Sequence, residues 1–275
     1  MGRTKGDGRA RGPAMMILIH SSKAMRAAPR DGVPLRTPAL LDRAEELADY
    51  LKTLPPARLA EVMQLSDALA EKTHEVIARW DTVPDQQSPA VHSFIGDIYS
   101  GLRIGDLSDA DREYADERLR ILSGLYGILR PYDGIRPYRL EMGYKLPGPK
   151  YTSLYDFWGD AVARCVPPTG LIVNLAAVEY SRTVTPFVDA ARLVTPKFLT
   201  VDPKSGEPKF VTVHAKIARG AFARWLVTRR VDAAAGIEEF DEIGYRFDAV
   251  ASRPGQPVFV CEEFGGKGLS VRLQS

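Results

Sequence analysis

The residues best suited to chemistry are concentrated in one stretch, LRILSGLYGILRPYDGIRPYRLEMG at positions 119–143. Arginine side chains match phosphate and carboxylate groups better than lysines do, because the guanidinium is planar and forked. The two glycines three residues apart allow a turn whose backbone N–H groups converge on one anion. The alternative is a glycine that ends a helix, with the arginines exposed to solvent. The predicted ligand-binding residues are Ser123, Gly124, Tyr126, Gly127, Arg130, Arg136, Tyr138 and Arg139.

A second basic group lies on a predicted helix from Lys216 to Arg230. Lys216 and Arg219 are three residues apart and therefore share one face of that helix. They are predicted to join the same anion site, and the alternative is a helix face that contacts only solvent.

Acid–base chemistry is predicted at the end of the apolar run Met15–Ile19. His20 and Lys23 follow this run directly, and α/β proteins place their chemistry where a buried strand ends. Either residue is a candidate base or nucleophile. Glu141 and Asp160 are candidate assisting carboxylates, and the alternative is that they are structural partners of the arginines.

These residues need a scaffold, and the apolar patterns predict one mixed α/β domain over residues 15–275. Met15–Ile19 and Gly170–Leu175 are predicted to be buried strands. Helices are predicted from Thr37 to Pro55, from Ala57 to Trp80 in two parts, from Asp109 to about Leu122 and over Tyr151–Arg164. A strand-turn is predicted for His92–Leu102, a hairpin for Arg192–Val201 with Lys209–His214, and closing strands for Tyr245–Val250 and Pro257–Val260.

Composition narrows the function classes. The 275 residues are 45% hydrophobic and 26% charged, which is typical of a globular protein. No apolar run approaches the roughly 20 residues of a membrane span, so no membrane partner and a cytoplasmic location are expected. The two cysteines form no C-x-x-C pair, and neither a phosphate-loop nor a dinucleotide motif is present, so no metal or cofactor is predicted.

The net charge of +2 is uneven along the chain. Residues 1–14, MGRTKGDGRARGPA, hold four basic residues and one acidic residue, so the remainder has a net charge of −1. This segment is interpreted as a disordered basic tail or a misassigned start. A prediction of nucleic-acid binding must therefore depend on clustered charge rather than on net charge.

Five motifs together resemble the YaaA peroxide-stress family, in order and spacing, from Met15 to about Phe259. They are LSGLYGILRP (122–131), RPYRLEMG (136–143), YDFWGD (155–160), NLA..EY (174–180) and the ARG of HAKIARG (214–220). The resemblance implies a compact α/β fold with a helix-hairpin-helix-like element at residues 123–127 and a positively charged cleft. It also implies limitation of oxidative damage and DNA binding. The cleft would be lined by Lys23, Arg130, Arg136, Arg139, Lys216 and Arg219.

The chain departs from the family pattern at the cleft. The family's S-P-A-K-T is replaced by residues 20–24, HSSKA, and its F-K-G-D by residues 94–97, FIGD. Its A-S-x-E-Y and Y-A-K-K become AAVEY (176–180) and HAKI (214–217), so cleft lysines and a hydroxyl are lost. His20 and His214 are new candidate catalytic groups, since histidine titrates near neutral pH.

Three functional hypotheses follow. The first is the family role, a cytosolic stress protein whose cleft binds DNA or another phosphate-bearing or carboxylate ligand. The second is a repurposed enzyme, of specialised metabolism, that acts on a small anionic or heterocyclic substrate with His20 or Lys23 as base or nucleophile. The third is a non-catalytic binding protein for a nucleotide or metabolite.

Overall fold

A computed structural model describes residues 15–29, 34–146 and 150–270. The predicted tail at residues 1–14 lies outside the described residues. The strands are β1 (Met16–His20), β2 (Ala24–Met25), β3 (Ser88–Pro89), β4 (Phe94–Ile95), β5 (Leu119–Ser123), β6 (Gly127–Leu129), β7 (Gly134–Ile135), β8 (Ile172–Asn174), β9 (Leu193–Val194), β10 (Lys197–Val201), β11 (Pro208–Lys209), β12 (Tyr245–Arg253) and β13 (Gln256–Cys261). The helices are α1 (Leu41–Lys52), α2 (Pro56–Met63), α3 (Asp67–Ala78), α4 (Ala90–Ser93), α5 (Asp97–Leu102), α6 (Asp109–Arg118), α7 (Leu154–Trp158), α8 (Ala161–Arg164), α9 (Val178–Ser181) and α10 (Thr212–Arg229).

The central sheet has the strand order β6-β5-β1-β8-β9, with β1 in the middle. β1 is parallel to both β5 and β8, and only β6 is antiparallel to its neighbour. All five residues of β1 are buried, as expected of a parallel strand covered on both faces. The predicted strands at Met15–Ile19 and Gly170–Leu175 are therefore confirmed, with the bounds of β1 and β8.

The helix predicted from Asp109 to Leu122 is wrong in its second half. Ser108 caps the helix as predicted, because its Oγ accepts a hydrogen bond from the Asp111 backbone nitrogen at 3.2 Å. The helix ends at Arg118, and Leu119–Ser123 is β5, buried at every position beside β1. Burial of this apolar segment in the sheet outweighs its helical spacing.

The predicted helix-hairpin-helix-like element is also wrong in its secondary structure. Ser123 pairs with Gly127 across an antiparallel hairpin, so residues 124–126 are the turn between β5 and β6. Gly127 has φ = +68°, a backbone conformation that glycine adopts without strain. The segment thus lies in the central sheet rather than between two helices.

A second sheet has the order β11-β10-β13-β12 and shares one hydrophobic core with the first. The β12–β13 pair and the β10–β11 hairpin confirm the predicted antiparallel pairs. The second arm of that hairpin is shorter than predicted, because α10 already begins at Thr212.

Two other segments differ from their predictions. Tyr151–Arg164 holds two short helices, α7 and α8, because Gly159 has φ = +50° and interrupts the helix. His92–Leu102 contains the end of α4, the short strand β4 and all of α5, where a strand-turn was predicted. The three N-terminal helices, α1 to α3, follow their predicted apolar spacing.

Helices α5 and α10 cross at two glycines. A Cβ at Gly220 would overlap the Ile98 carbonyl oxygen and lie 2.7 Å from the Leu102 nitrogen. A Cβ at Gly101 would overlap the Ile217 carbonyl oxygen and lie 2.8 Å from the Ala221 nitrogen. The two backbones therefore touch, and this close crossing fixes the residues that α5 and α10 present to the site described next.

Candidate functional site

A pocket of about 400 Å³ opens at the carboxyl end of β1. Within the central sheet, the chain passes from β1 to β5, the neighbour of β1 on one side. From β8, the neighbour of β1 on the other side, the chain passes outward to β9. Connections that diverge in this way leave a crevice between the two strand ends, the usual ligand site of an open α/β sheet. The pocket is lined by residues 20–23, residues 96–99, Glu141, Ala177, Glu179, Tyr180 and Lys216.

His20 is the last residue of β1 and is held from two directions. Its Nδ1 accepts a hydrogen bond from the Ala177 nitrogen at 3.1 Å, and its ring stacks on Tyr180 with 4.8 Å between ring centroids. Burial, followed by the charges of Arg219 and Lys216, lowers the pKa of His20 to about 3. The ring is therefore neutral at physiological pH, with its proton on Nε2. This arrangement makes His20 a hydrogen-bond donor to the pocket rather than a base.

Two cations on α10 are the charges that lower the His20 pKa. Lys216 is exposed at the pocket, and Arg219, one turn later, is half-buried. Burial lowers the pKa of Arg219. Neither side chain has a hydrogen bond or ion pair with another described residue, whereas a desolvated charge is normally paired.

Carboxylates share the pocket with these cations. Glu141 forms an ion pair with Lys23 at 2.7 Å. Glu179 accepts a hydrogen bond from the Gly143 nitrogen at 2.8 Å, and Asp97 accepts one from the Ser270 hydroxyl at 3.0 Å. The pocket is thus mixed in charge, and the positively charged cleft that the resemblance implies stays a prediction.

Hydroxyl groups form the floor of the pocket. Tyr99 donates to the His20 carbonyl oxygen at 2.9 Å. The Ser21 hydroxyl interacts with the phenols of Tyr138 and Tyr180. Tyr138 also shares a 2.6 Å hydrogen bond with Ser123, and burial raises its pKa to about 12. The predicted ligand-binding residue Tyr138 therefore lies beneath the pocket floor.

The other predicted residues of the hairpin are used inside the protein. The Ser123 Oγ accepts a hydrogen bond from the Tyr126 nitrogen at 2.9 Å, and the Tyr126 hydroxyl accepts one from Trp80. A Cβ at Gly124 would overlap the Leu140 carbonyl oxygen, and a Cβ at Gly127 would lie 3.0 Å from the Trp158 ring. The structure places all four predicted binding residues in the core, with no exposed N–H cradle for an anion.

The arginines that follow the hairpin diverge. Arg136 bonds to the Arg79 carbonyl oxygen at 3.0 Å and pairs with Asp81 at 3.3 Å. Arg139 borders a small internal cavity, and Arg130 is exposed beside Asp133. None of the three lines the pocket.

Two predicted catalytic residues also lie elsewhere. Asp160 is at the surface and pairs with Arg164 at 3.1 Å. His214 lies in the second sheet's environment, where its ring stacks on Phe264 at 3.9 Å and its Nδ1 bonds to Thr200. The structure therefore brings together His20, Lys23, Glu141, Lys216 and Arg219 from the predicted set.

Sequence reasoning missed several pocket residues. Tyr180 and Tyr99 were not predicted as site residues, nor were Ser21 and Ser22, although both serines stand in the motif HSSKA. The only signal for Tyr180 was its place in the NLA..EY motif. Within the described ranges, no three His, Cys, Asp or Glu side chains are grouped to hold a metal ion, and no helix is long and apolar enough to cross a membrane.

Comparison with known proteins matches the motifs. A family model described as peroxide stress protein YaaA covers residues 15–251. A UPF0246 protein of Salinispora tropica is 66% identical over 258 residues, 94% of this chain and 98% of the relative. UPF0246 proteins of Ruegeria pomeroyi and Marinomonas sp. are each 40% identical, over 90% and 82% of this chain and 98% and 88% of the relatives. The predicted resemblance is confirmed: the chain belongs to the YaaA peroxide stress protein family.

Proposed function

We propose that this protein serves its family's role in peroxide stress by binding a compact phosphate- or carboxylate-bearing ligand in the pocket at the end of β1. Family membership supports the association with peroxide stress. The ligand class is supported by one observation: Nε2 of His20 and the side chains of Lys216 and Arg219 lie in one electrostatic environment, and none of them donates a hydrogen bond to another described residue.

A bound anion would compensate the positive charge of Arg219 and Lys216 at this pocket. Arg219 is half-buried and has no partner among the described residues, and burial of an unpaired charge is costly. A phosphate or carboxylate group accepts hydrogen bonds from a guanidinium, an amine and an imidazole N–H at once. Because His20 is already neutral, it donates without adding a charge that would have to be compensated when the pocket is empty.

The geometry favours a small ligand over duplex DNA, the partner implied by the resemblance. A duplex is bound through many phosphate contacts along a basic surface. Here Arg136 is paired with Asp81, and Arg130 and Arg139 do not line the pocket. The enzymatic role with His20 or Lys23 as base or nucleophile stays a prediction; Lys23 is paired with Glu141, and His20 presents a donor.

The test is a calorimetric titration of the full chain with inorganic phosphate. A charge-assisted hydrogen bond contributes about 1.5–3 kcal/mol, so Lys216→Gln and Arg219→Gln should each weaken binding about tenfold or more. Arg229→Gln is the matched control, because Arg229 is exposed at the far end of α10. Absence of phosphate binding by the unmodified protein, or equal losses in all three variants, refutes the proposal.

A parallel titration with a DNA duplex distinguishes a pocket that binds a small anion from one that binds DNA. The basic residues 1–14 are the same in every variant, so any binding through them is unchanged. Duplex binding that weakens with Arg219→Gln and falls steeply with salt would assign the pocket to a polyanion instead. In cells challenged with hydrogen peroxide, Arg229→Gln should restore the survival of a deletion strain and Arg219→Gln should not.

A further inference from the structure

We propose that the ligand of this pocket is bipolar, a small molecule with an anionic group and a protonated amine. The inference rests on the proposed function, because it concerns the same pocket and its anion subsite. It goes further by assigning a carboxylate of the pocket to a positive group of the ligand. Two lysines, Lys23 and Lys216, and three carboxylates line the pocket, and the charge of Arg219 also acts on His20.

Unpaired charges of both signs line this one pocket. Lys216 has no acceptor and Glu179 has no cationic partner among the described residues, and both line the pocket. The charges of Arg219 and Lys216 help burial to lower the His20 pKa, and the charges of Glu141 and Glu179 help burial to raise the Tyr180 pKa. Because the His20 and Tyr180 rings stack with 4.8 Å between their centroids, the cationic and acidic groups adjoin one ligand-sized space.

Glu179 is the carboxylate of the pocket whose hydrogen-bond acceptor positions are mostly unused. Glu141 is neutralised by Lys23 at 2.7 Å, and Asp97 is bonded to Ser270. Glu179 meets only the Gly143 backbone nitrogen, at 2.8 Å, and has no cationic partner among the described residues. A carboxylate offers about four acceptor positions, so most of its capacity faces outward.

The size of the pocket sets the size of the ligand. A volume of about 400 Å³ is within the range of small-molecule sites and too small for a folded partner. Because cationic and acidic residues line one pocket of this volume, the anionic and cationic groups of the ligand must be a few ångströms apart. Aminoalkyl phosphates and amino acids have this spacing.

The test compares two probes of matched shape by calorimetry, O-phosphoethanolamine and propyl phosphate, on the full chain. They share the phosphate and differ in an ammonium against a methyl group. We expect O-phosphoethanolamine to bind at least about tenfold more tightly. Glu179→Gln should abolish this difference without weakening propyl phosphate binding, because it removes a negative charge from the pocket, whereas the exposed control Glu113→Gln should leave the difference in place.

The outcomes separate the two proposals. Equal affinity for the two probes in the unmodified protein overturns the bipolar ligand and leaves the anion pocket standing. A preference that persists in folded Glu179→Gln overturns the role of Glu179. Absence of binding by either probe removes the proposed function itself. The comparison in the unmodified protein is decisive even if the variant fails to fold.

Discussion

Replacing Gly220 by alanine tests whether the crossing of α5 and α10 builds the pocket. α5 carries Asp97 to Tyr99 of the pocket lining and α10 carries Lys216, so their separation sets the width of the site. The added Cβ would overlap the Ile98 carbonyl oxygen. Because the obstacle is backbone rather than a flexible side chain, one of the two helices has to move.

The expected loss of stability in Gly220→Ala is the difference between two opposing effects. Overpacking in a tight core costs about 1–3 kcal/mol, and a backbone obstacle favours the upper end. Alanine in a helix interior gains about 1 kcal/mol over glycine. The net loss of stability is therefore about 2 kcal/mol, or roughly 4–8 °C in melting temperature. Displacement of Lys216 and Arg219 should also weaken phosphate binding.

Urea unfolding at fixed temperature, followed by circular dichroism, measures the effect. The matched control is Gly105→Ala, since Gly105 is exposed and a Cβ there would meet no atom within 4 Å. That control should be neutral or gain about 0.4–1 kcal/mol. If Gly220→Ala unfolds at the same urea concentration as the unmodified protein, α5 and α10 are not in backbone contact. Their crossing then does not set the width of the pocket.

Three further predictions concern individual side chains. The folded-state pKa of His20 is lowered to about 3, so the unfolded chain alone takes up this proton below pH 6.5 and stability falls with decreasing pH. This loss of stability is about 1.4 kcal/mol per pH unit, and His20→Asn should remove it. The measurement is urea unfolding of both proteins between pH 7 and 4.5, and an equal pH dependence of their stability would contradict the prediction. Tyr138→Phe leaves the buried Ser123 hydroxyl without its 2.6 Å partner and should cost about 1–3 kcal/mol in urea unfolding; no change would show the bond to be unimportant. Asp160→Asn breaks only an exposed pair with Arg164, so phosphate binding should be unchanged and stability should fall by no more than about 0.5 kcal/mol; lost binding would return Asp160 to the site.

Local sequence patterns correctly predicted the features for which the pattern has a single physical interpretation. The Ser108 cap and the amphipathic spacing of α1 each have one physical interpretation. Leu119–Ser123 does not, because a short apolar run fits a helix and a buried strand equally well. Only pairing with β1, about a hundred residues earlier, decides in favour of a strand.

The site could be predicted in part, for a related reason. His20 and Lys23 were found because polar residues that follow a buried strand lie at its carboxyl end. The contact of His20 with Ala177 joins residues 157 positions apart and depends on the order of strands in the sheet. The Ser123–Gly127 turn looked like an anion cradle by its glycines, but its burial beneath Trp158 is a property of tertiary packing.

The position of a bound anion shows whether the pocket at the end of β1 is an anion site. Tungstate has the shape of phosphate and can be located by its anomalous scattering in crystals of the full chain. We expect one tungstate within hydrogen-bond distance of His20 Nε2, contacting Lys216 and Arg219, and its absence from crystals of Lys216→Gln combined with Arg219→Gln. Tungstate bound only at other surfaces, or retained in that double variant, would contradict the assignment of this pocket.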